Sequence, residues 1–370
     1  MNAVGIILAG GNNGRLGELT KTRAVSAIPV GSCFRCLDFP LSNLSNSGIG
    51  KVAVLAQYNA RSLQDHLSSS KWWNFGSKYG GLFVFSPYLS DDNSFWFRGT
   101  ADSIYQNITY LRRSREEYVI ITSGDAVYKA DFKELLRNHE QSGADVTIMY
   151  KDAEPGQDLR EFGVLTVGEN GDVLDLEEKP LEPQGSKISM GIYVIKRTLL
   201  MDLLSETVSE GNYDLVKDIF VRYRKMLKIN GFRFDGYWKA IKSVKSYFDV
   251  NMDFLRADIR RLFTQEQPYI ETKPKDEPPA KYNSQADVAD CLVGAGSIIS
   301  GNIFHSVLFR RVYVGDGSAV KDSVLMEGTR VGNNCVLENV ILDKFVTISD
   351  GAKLVGDPQN PIIISKGTTV

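Results

Sequence analysis

Residues 6–30 read IILAGGNNGRLGELTKTRAVSAIPV. The run from Ile6 to Leu8 is short, apolar and uninterrupted, the character of a strand buried on both faces of a parallel sheet. Gly10 and Gly11 come next, where such a strand would turn towards a helix, and without a Cβ they let backbone N–H groups approach a phosphate. An ordinary strand-to-helix turn explains a lone Gly-Gly equally well. Asn12, Asn13 and Gly14 prolong the irregular stretch, and Arg15 sets a cation beside it. Neither Walker A nor G-x-G-x-x-G spacing is present, so the stretch reads as the phosphate end of a cleft only in combination with elements later in the chain.

Outward from there the elements alternate. LDFPLSNLSNSGI (37–49) has the punctuation of a helix, and VAVLA (52–56) is a strand, giving β-α-β. A second helix is predicted over 61–67, a loop-dominated stretch over 71–97, and a helix ending near Arg113. YVIIT (118–122) is a buried strand that ends in Ser123-Gly124-Asp125. Ligands of open parallel sheets gather beyond the carboxyl ends of the strands, so Asp125 is a candidate metal ligand; an Asp there also serves as a turn or cap residue. Helix 131–142, strand VTIMY (146–150), a hairpin around Glu169–Asp172 and the strand KISMGIYVI come after it, then helices over 197–206, 213–226 and Ser243 to about Phe263. This order predicts an α/β domain with a mixed, mainly parallel Rossmann-like sheet and an inserted antiparallel pair.

Residues 264–285 concentrate Pro, Lys and Glu and read as a linker. Beyond it VGAGSI (293), VGDGSA (314), VGNNCV (331) and ISDGAK (348) repeat the hexapeptide turn of a left-handed parallel β-helix. The predicted organisation is therefore a domain over 1–263, a linker over 264–285 and a β-helix over 286–370. So short a β-helix buries little alone and should pack on the first domain or on another subunit.

Lys plus Arg number 43 against 45 Asp plus Glu, a net charge of −2, which points away from nucleic acid and acidic membranes. No apolar stretch approaches the roughly 20 residues of a membrane span, and no secretory signal opens the chain, so a cytoplasmic protein is expected. Cys33 and Cys36 form a C-x-x-C, but it precedes LDFPLSN instead of opening a helix after a strand, and it has no second pair for a zinc site. His66, His139 and His305 are scattered without ligand spacing.

Several motifs occur in one order: LAGG (8–11), Arg15 followed by Leu19-Thr20, R-A-x-x-A (23–27), F-R-x-x-D-F-x-L-S-N (34–43) and R-G-T-A-D-x-x-Y-Q-N (98–107). Gly124-Asp125, F-G-V (162–164), E-K-P (178–180), S-M-G-I-Y (189–193) and the terminal repeats complete them. Together, over nearly the whole chain, they resemble bacterial ADP-glucose pyrophosphorylase, the glucose-1-phosphate adenylyltransferase family of glycogen synthesis. The resemblance implies a nucleotidyltransferase fold joined to a β-helix, a tetramer, Mg²⁺, the substrates ATP and glucose 1-phosphate, and control by small metabolites. It also implies that Gly10, Gly11, Arg15, Gln106 and Gly124 bind nucleotide, that Gly163, Glu178, Lys179 and Ser189 bind glucose 1-phosphate, and that Asp125 is one Mg²⁺ ligand.

Other positions depart from the family pattern. Active members read R-A-K-P-A where this chain has Val25 in place of the Lys, and W-R-D-V-G-T where Tyr237-Trp238-Lys239-Ala240-Ile241-Lys242 puts Ala240 at the second metal carboxylate. Asn12 stands at a usual Arg, Ala126 at a His and Phe97 at an aromatic hydroxyl. Each lost charge-stabilising contact lowers a rate by about 10²–10³-fold. The pattern resembles the GlgD-type subunit, in which Asn12, Val25 and Ala240 are vestigial and a catalytic GlgC-type subunit completes a hetero-tetramer. The alternative is a self-sufficient Mg²⁺-dependent sugar-1-phosphate nucleotidyltransferase with Asp235 as the replacement carboxylate; a remoter one is an acyltransferase with His305 as base. Lys21, Arg23, Arg35, Arg310 and Arg311 are candidates for an effector anion pocket between the domains.

Overall fold

Six residues without a charge or a polar side chain, Ala3–Leu8, form strand β1 in a computed structural model that describes residues 2–11, 14–76, 80–88 and 95–370. Such a run needs cover on both faces and partners on both edges. On one edge it runs parallel to β2 (Lys51–Leu55), which pairs in turn with β3 (Gly81–Phe85); on the other it runs parallel to β4 (Tyr118–Ser123). One apolar layer, with Leu41, Leu44, Phe132 and Leu135, covers one face; another, with Ile104, Leu111, Leu200 and Phe220, covers the other.

Past β4 the nine-stranded sheet becomes antiparallel. β5 (Val146–Asp152) leads to the hairpin of β6 (Gly163–Val167) and β7 (Val173–Glu178), and then to β8 (Lys187–Lys196). The second half of β8, Ile192–Lys196, pairs with β4, whereas Lys187 and Ile188 pair with β6 on the same edge. The hairpin therefore continues the sheet where β4 stops, and it hangs over the carboxyl end of β4. β9 (Ile229–Arg233) closes the far edge parallel to β5.

The helix predicted from Ser243 to about Phe263 is two helices, Val244–Asp253 and Ala257–Thr264. In one straight helix Phe254 and Phe263 would lie roughly 13 Å apart on opposite sides. The break folds the chain back so that their rings stack at 5.3 Å, inside an aromatic cluster with Phe39.

Residues 281–364 wind into a left-handed parallel β-helix with three faces of five strands each. Ile299, Val314, Val331 and Ile348 stack as one buried column. The coils start at Lys281–Tyr282, inside the stretch read as linker, because these residues pair with Ile298–Ile299. The remainder of that stretch is strapped to the first domain. Trp73 Nε1 donates to the Glu271 carbonyl at 3.0 Å, Thr272 Oγ1 donates to Asp38 at 2.6 Å, and Ile270 is buried. The β-helix packs Val307, Phe309, Val324 and Met326 against Leu16, Leu19, Ile28 and Val30 of the opening stretch. No helix among the described residues is long and apolar enough to cross a membrane.

Helix Phe132–Ser142 presses His139 against β5, with Nδ1 at 2.8 Å from Thr147 Oγ1 and the ring edge-on to Tyr118. Burial, with Lys196 adding to it, holds the imidazole pKa down at about 4. The unfolded chain takes up this proton near pH 6.5 and the native one only near the lower value. This contribution to stability is thus full above about pH 6.5 and is lost as pH falls towards 4. A His139→Gln variant is expected to show a shallower loss of urea resistance over that interval; an unchanged acid profile would show that His139 is not the responsible group.

Candidate functional site

β1, β2 and β4 end on the same side of the sheet, so the residues just beyond them share one opening. Gly10 and Gly11 after β1, Gln57 after β2 and Asp125 after β4 line a cleft of about 550 Å³, joined by Val25, Lys179 and Lys242. Two glycines are required by close approach in this region. A Cβ on Gly124 would stand 2.6 Å from Ser26 Oγ, and one on Gly99 would stand 2.3 Å from the Tyr213 carbonyl oxygen.

Arg98 borders the cleft with its guanidinium 3.9 Å from the centre of the Tyr213 ring and its Nη2 2.9 Å from Asp102. Gln106 is not part of the cleft lining; its amide donates at 2.9 Å to the same buried Asp102 carboxylate, supporting Arg98 from behind. Gln57 also has a positioning part. Its side chain accepts from Phe97 N at 2.6 Å and donates to Phe97 O at 3.2 Å, which ties the rim to the end of β2. No motif pointed to Gln57.

A second cavity of about 440 Å³ adjoins the first and contains Arg15 and Ala240; Glu161 and Lys242 line both. Strand Trp238–Ala240 pairs with Ala126–Tyr128, placing Ala240 opposite Ala126, and Ile241 N donates to the Asp125 carbonyl at 2.8 Å. That pairing carries the next residue onto the carboxylate. Lys242 Nζ lies 2.6 Å from Asp125 Oδ2, while Asp125 Oδ1 accepts from the Ser123 hydroxyl at 2.5 Å. Burial works against both charges, yet their mutual attraction prevails: the Asp125 pKa is lowered and the Lys242 pKa is raised.

The hairpin supplies the remaining residues. Glu178 pairs with Gly163 across it, and Glu178 Oε1 lies 3.4 Å from Lys179 Nζ. Burial raises the Glu178 pKa, against the pull of Lys179. Ser189 is buried on β8 with its hydroxyl 3.2 Å from that of Tyr193. Arg15 reaches across to Glu161 at 2.6 Å. Of the residues singled out in the sequence, Gly10, Gly11, Val25, Asp125 and Lys179 thus share the cleft, and Arg15 and Ala240 share the adjoining cavity. Gly124 packs behind them against Ser26, and Asn12 lies outside the described residues. Asp235 is in neither lining; its side chain is 78% exposed and paired with Arg233 at 3.1 Å. His305 sits at a corner of the β-helix, tied to Asp322 at 2.6 Å.

These donors do not fit a resident divalent cation. Mg²⁺ is held through carboxylates together with ligand phosphates and water. Here Ala240 offers a methyl group, Asp125 Oδ2 is bound to an ammonium, and no group of three or more His, Cys, Asp or Glu among the described residues is placed to share a metal. Lys242 was not singled out by any motif.

A third cavity, of about 350 Å³, lies between the domains and is lined by five cations (Arg35, Lys273, Lys275, Arg310 and Lys344) and two carboxylates, Glu277 and Glu327. Burial, reinforced by neighbouring cations, lowers the pKa of Arg35, Lys275 and Lys344. Of the five basic residues expected there, only Arg35 and Arg310 form its wall. Lys21 pairs with Glu18 near the surface, Arg23 is buried against Asp343, and Arg311 is exposed.

A model of the nucleotidyl transferase family matches residues 4–257, and one described as GlmU-like, C-terminal hexapeptide matches residues 278–361. The glucose-1-phosphate adenylyltransferase of Bacillus mycoides (strain KBAB4) is 37% identical over 351 residues, covering 94% of this chain and 93% of that one. The protein of the same name from Bacillus cytotoxicus is 36% identical over 371 residues, covering 99% and 98%.

Proposed function

Because the chain belongs to the glucose-1-phosphate adenylyltransferase family, we propose that it acts as a regulatory and structural subunit of such an enzyme, itself inactive or weakly active. The observation that carries this reading is the Lys242 ammonium on Asp125, with Ala240 beside it and Val25 in the same cleft as that carboxylate. Joining ATP to glucose 1-phosphate develops charge on several phosphate oxygens, and fixed cations and metal must meet it. Val25 cannot do so, and the Lys242 ammonium stands on the carboxylate that a metal would need. The binding frame around these positions is retained: the glycines after β1, the Glu178–Lys179 pair and the Arg98–Asp102 support.

In this reading the partner is a catalytic subunit of the same family, the assembly is a cytoplasmic hetero-tetramer, and its product serves glycogen synthesis. The excess of cations in the interdomain cavity favours a small phosphorylated effector there. Asp235 gives the alternative of a self-sufficient Mg²⁺-dependent enzyme no support, because it lies in the open and is paired with Arg233.

The reading is tested by assaying ADP-glucose formation by the purified chain, by a catalytic subunit from the same source, and by the two co-purified. Negligible turnover alone is expected, with a several-fold higher rate or a changed effector response in the mixture, comparable to coupling of about 1–3 kcal/mol. Ordinary enzyme turnover by the chain alone would refute it.

A further inference from the structure

Asp125, the carboxylate a divalent metal would need, already has a cation on it. We propose that the Lys242 ammonium stands in for that metal, so that the cleft takes a phosphorylated nucleotide free of Mg²⁺. The inference rests on reading this chain as a non-catalytic member of its family, and it names the form of ligand the retained cleft accepts.

Charge pairing is the first support. Asp125, Glu161 and Glu178 each have a cation: Lys242 at 2.6 Å, Arg15 at 2.6 Å and Lys179 at 3.4 Å, respectively. To reach Asp125 Oδ2 a metal would have to stand beside a like charge. Position is the second support. Lys242 is held by the antiparallel pairing of 238–240 with 126–128 and by the bond from Ile241 N to the Asp125 carbonyl, and it lines both cavities. An ammonium is a compact point charge with three N–H donors, which suits a phosphate oxygen.

A nucleotide already chelated to Mg²⁺ would bring part of its charge neutralised and would press the metal towards Lys242. The uncomplexed nucleotide would meet Lys242, Lys179 and the backbone of Gly10 and Gly11 with its full charge. Preference for the metal-free form is the reverse of what a metal-bridged site requires.

The test is calorimetric titration of the full chain with ATP and with ADP-glucose, each in EDTA and in excess MgCl₂, alongside Mn²⁺ paramagnetic resonance. ATP is expected to bind in EDTA and more weakly in MgCl₂, and the Mn²⁺ signal is expected to stay that of the free ion with or without ATP. Lys242→Met should weaken binding in EDTA by about tenfold or more, as for a lost hydrogen bond to a charged group. Lys242→Gly with Ala240→Asp should reverse the preference and immobilise Mn²⁺. Tighter binding in MgCl₂, Mn²⁺ uptake by the unaltered chain, or no nucleotide binding in either medium would each overturn the proposal. A chain that fails these tests but still activates its partner leaves the regulatory reading intact; turnover by the chain alone overturns that reading instead.

Discussion

A chain carrying Val25→Lys, Ala240→Asp and Lys242→Gly together is expected to form ADP-glucose at least about 10³-fold faster than the unaltered chain, with ATP and glucose 1-phosphate as substrates. Val25 lines the same cleft as Asp125, so a Lys there would set a mobile ammonium among the nucleotide phosphates. Ala240 lies opposite Ala126, the residue after Asp125, and a carboxylate at 240 would restore the second acidic position of the family pattern one strand away from Asp125. Neither change suffices while Lys242 remains, because its ammonium already occupies Asp125 Oδ2 and would pair with a carboxylate introduced at position 240 as well. The pair Val25→Lys with Ala240→Asp is therefore expected to gain little, and most of the gain should appear only when Lys242 is removed. Contributions that act as a unit are non-additive in this way. Product formation under single-turnover conditions separates the cases; a triple variant as inert as its parent would mean that the missing groups are not these three.

The same residues show why part of the site was legible in the sequence and part was not. Strand β1, the glycines after it and the Asp that ends the β4 run are local patterns, and the sheet brings them together because all its parallel strands point the same way. The repeats predicted the β-helix because each coil reuses one short pattern. Lys242 escaped because nothing in its own neighbourhood says where its side chain goes. Its meaning depends on a strand pairing between segments more than 100 residues apart, Trp238–Ala240 on Ala126–Tyr128. The support Gln106 gives Arg98 escaped for the related reason that its motif identifies the helix but not the buried carboxylate the amide turns to. The stretch before the β-helix looked slack by composition, yet its backbone is held by the side chains of Trp73 and Ser42, which composition cannot reveal.

Arg23→Ala is expected to destabilise the protein by about 3–5 kcal/mol, the loss incurred when one partner of a buried ion pair is removed. The Arg23 and Asp343 side chains are only 4% and 1% exposed, and Nη2 lies 2.7 Å from Asp343 Oδ1. Among the described residues the second carboxylate oxygen has no hydrogen-bond partner, so the guanidinium is the main group that makes the buried charge tolerable. Backbone support from Lys344 N at 2.6 Å would remain, but an N–H dipole does not replace a full charge. The pair joins the opening stretch of the first domain to a coil of the second, within the apolar cluster that contains Leu19 and Met326. Arg23 also stands two residues before Val25 in the cleft wall, so a displacement of the β-helix would be felt where nucleotide is held. Replacing both partners by apolar residues, Arg23→Met with Asp343→Leu, is expected to recover most of the lost stability, since the unpaired charge disappears along with the pair. Urea denaturation of the single and double variants measures this directly. A loss below about 0.5 kcal/mol in Arg23→Ala, the range of ordinary surface substitutions, would show that this contact does not couple the two domains.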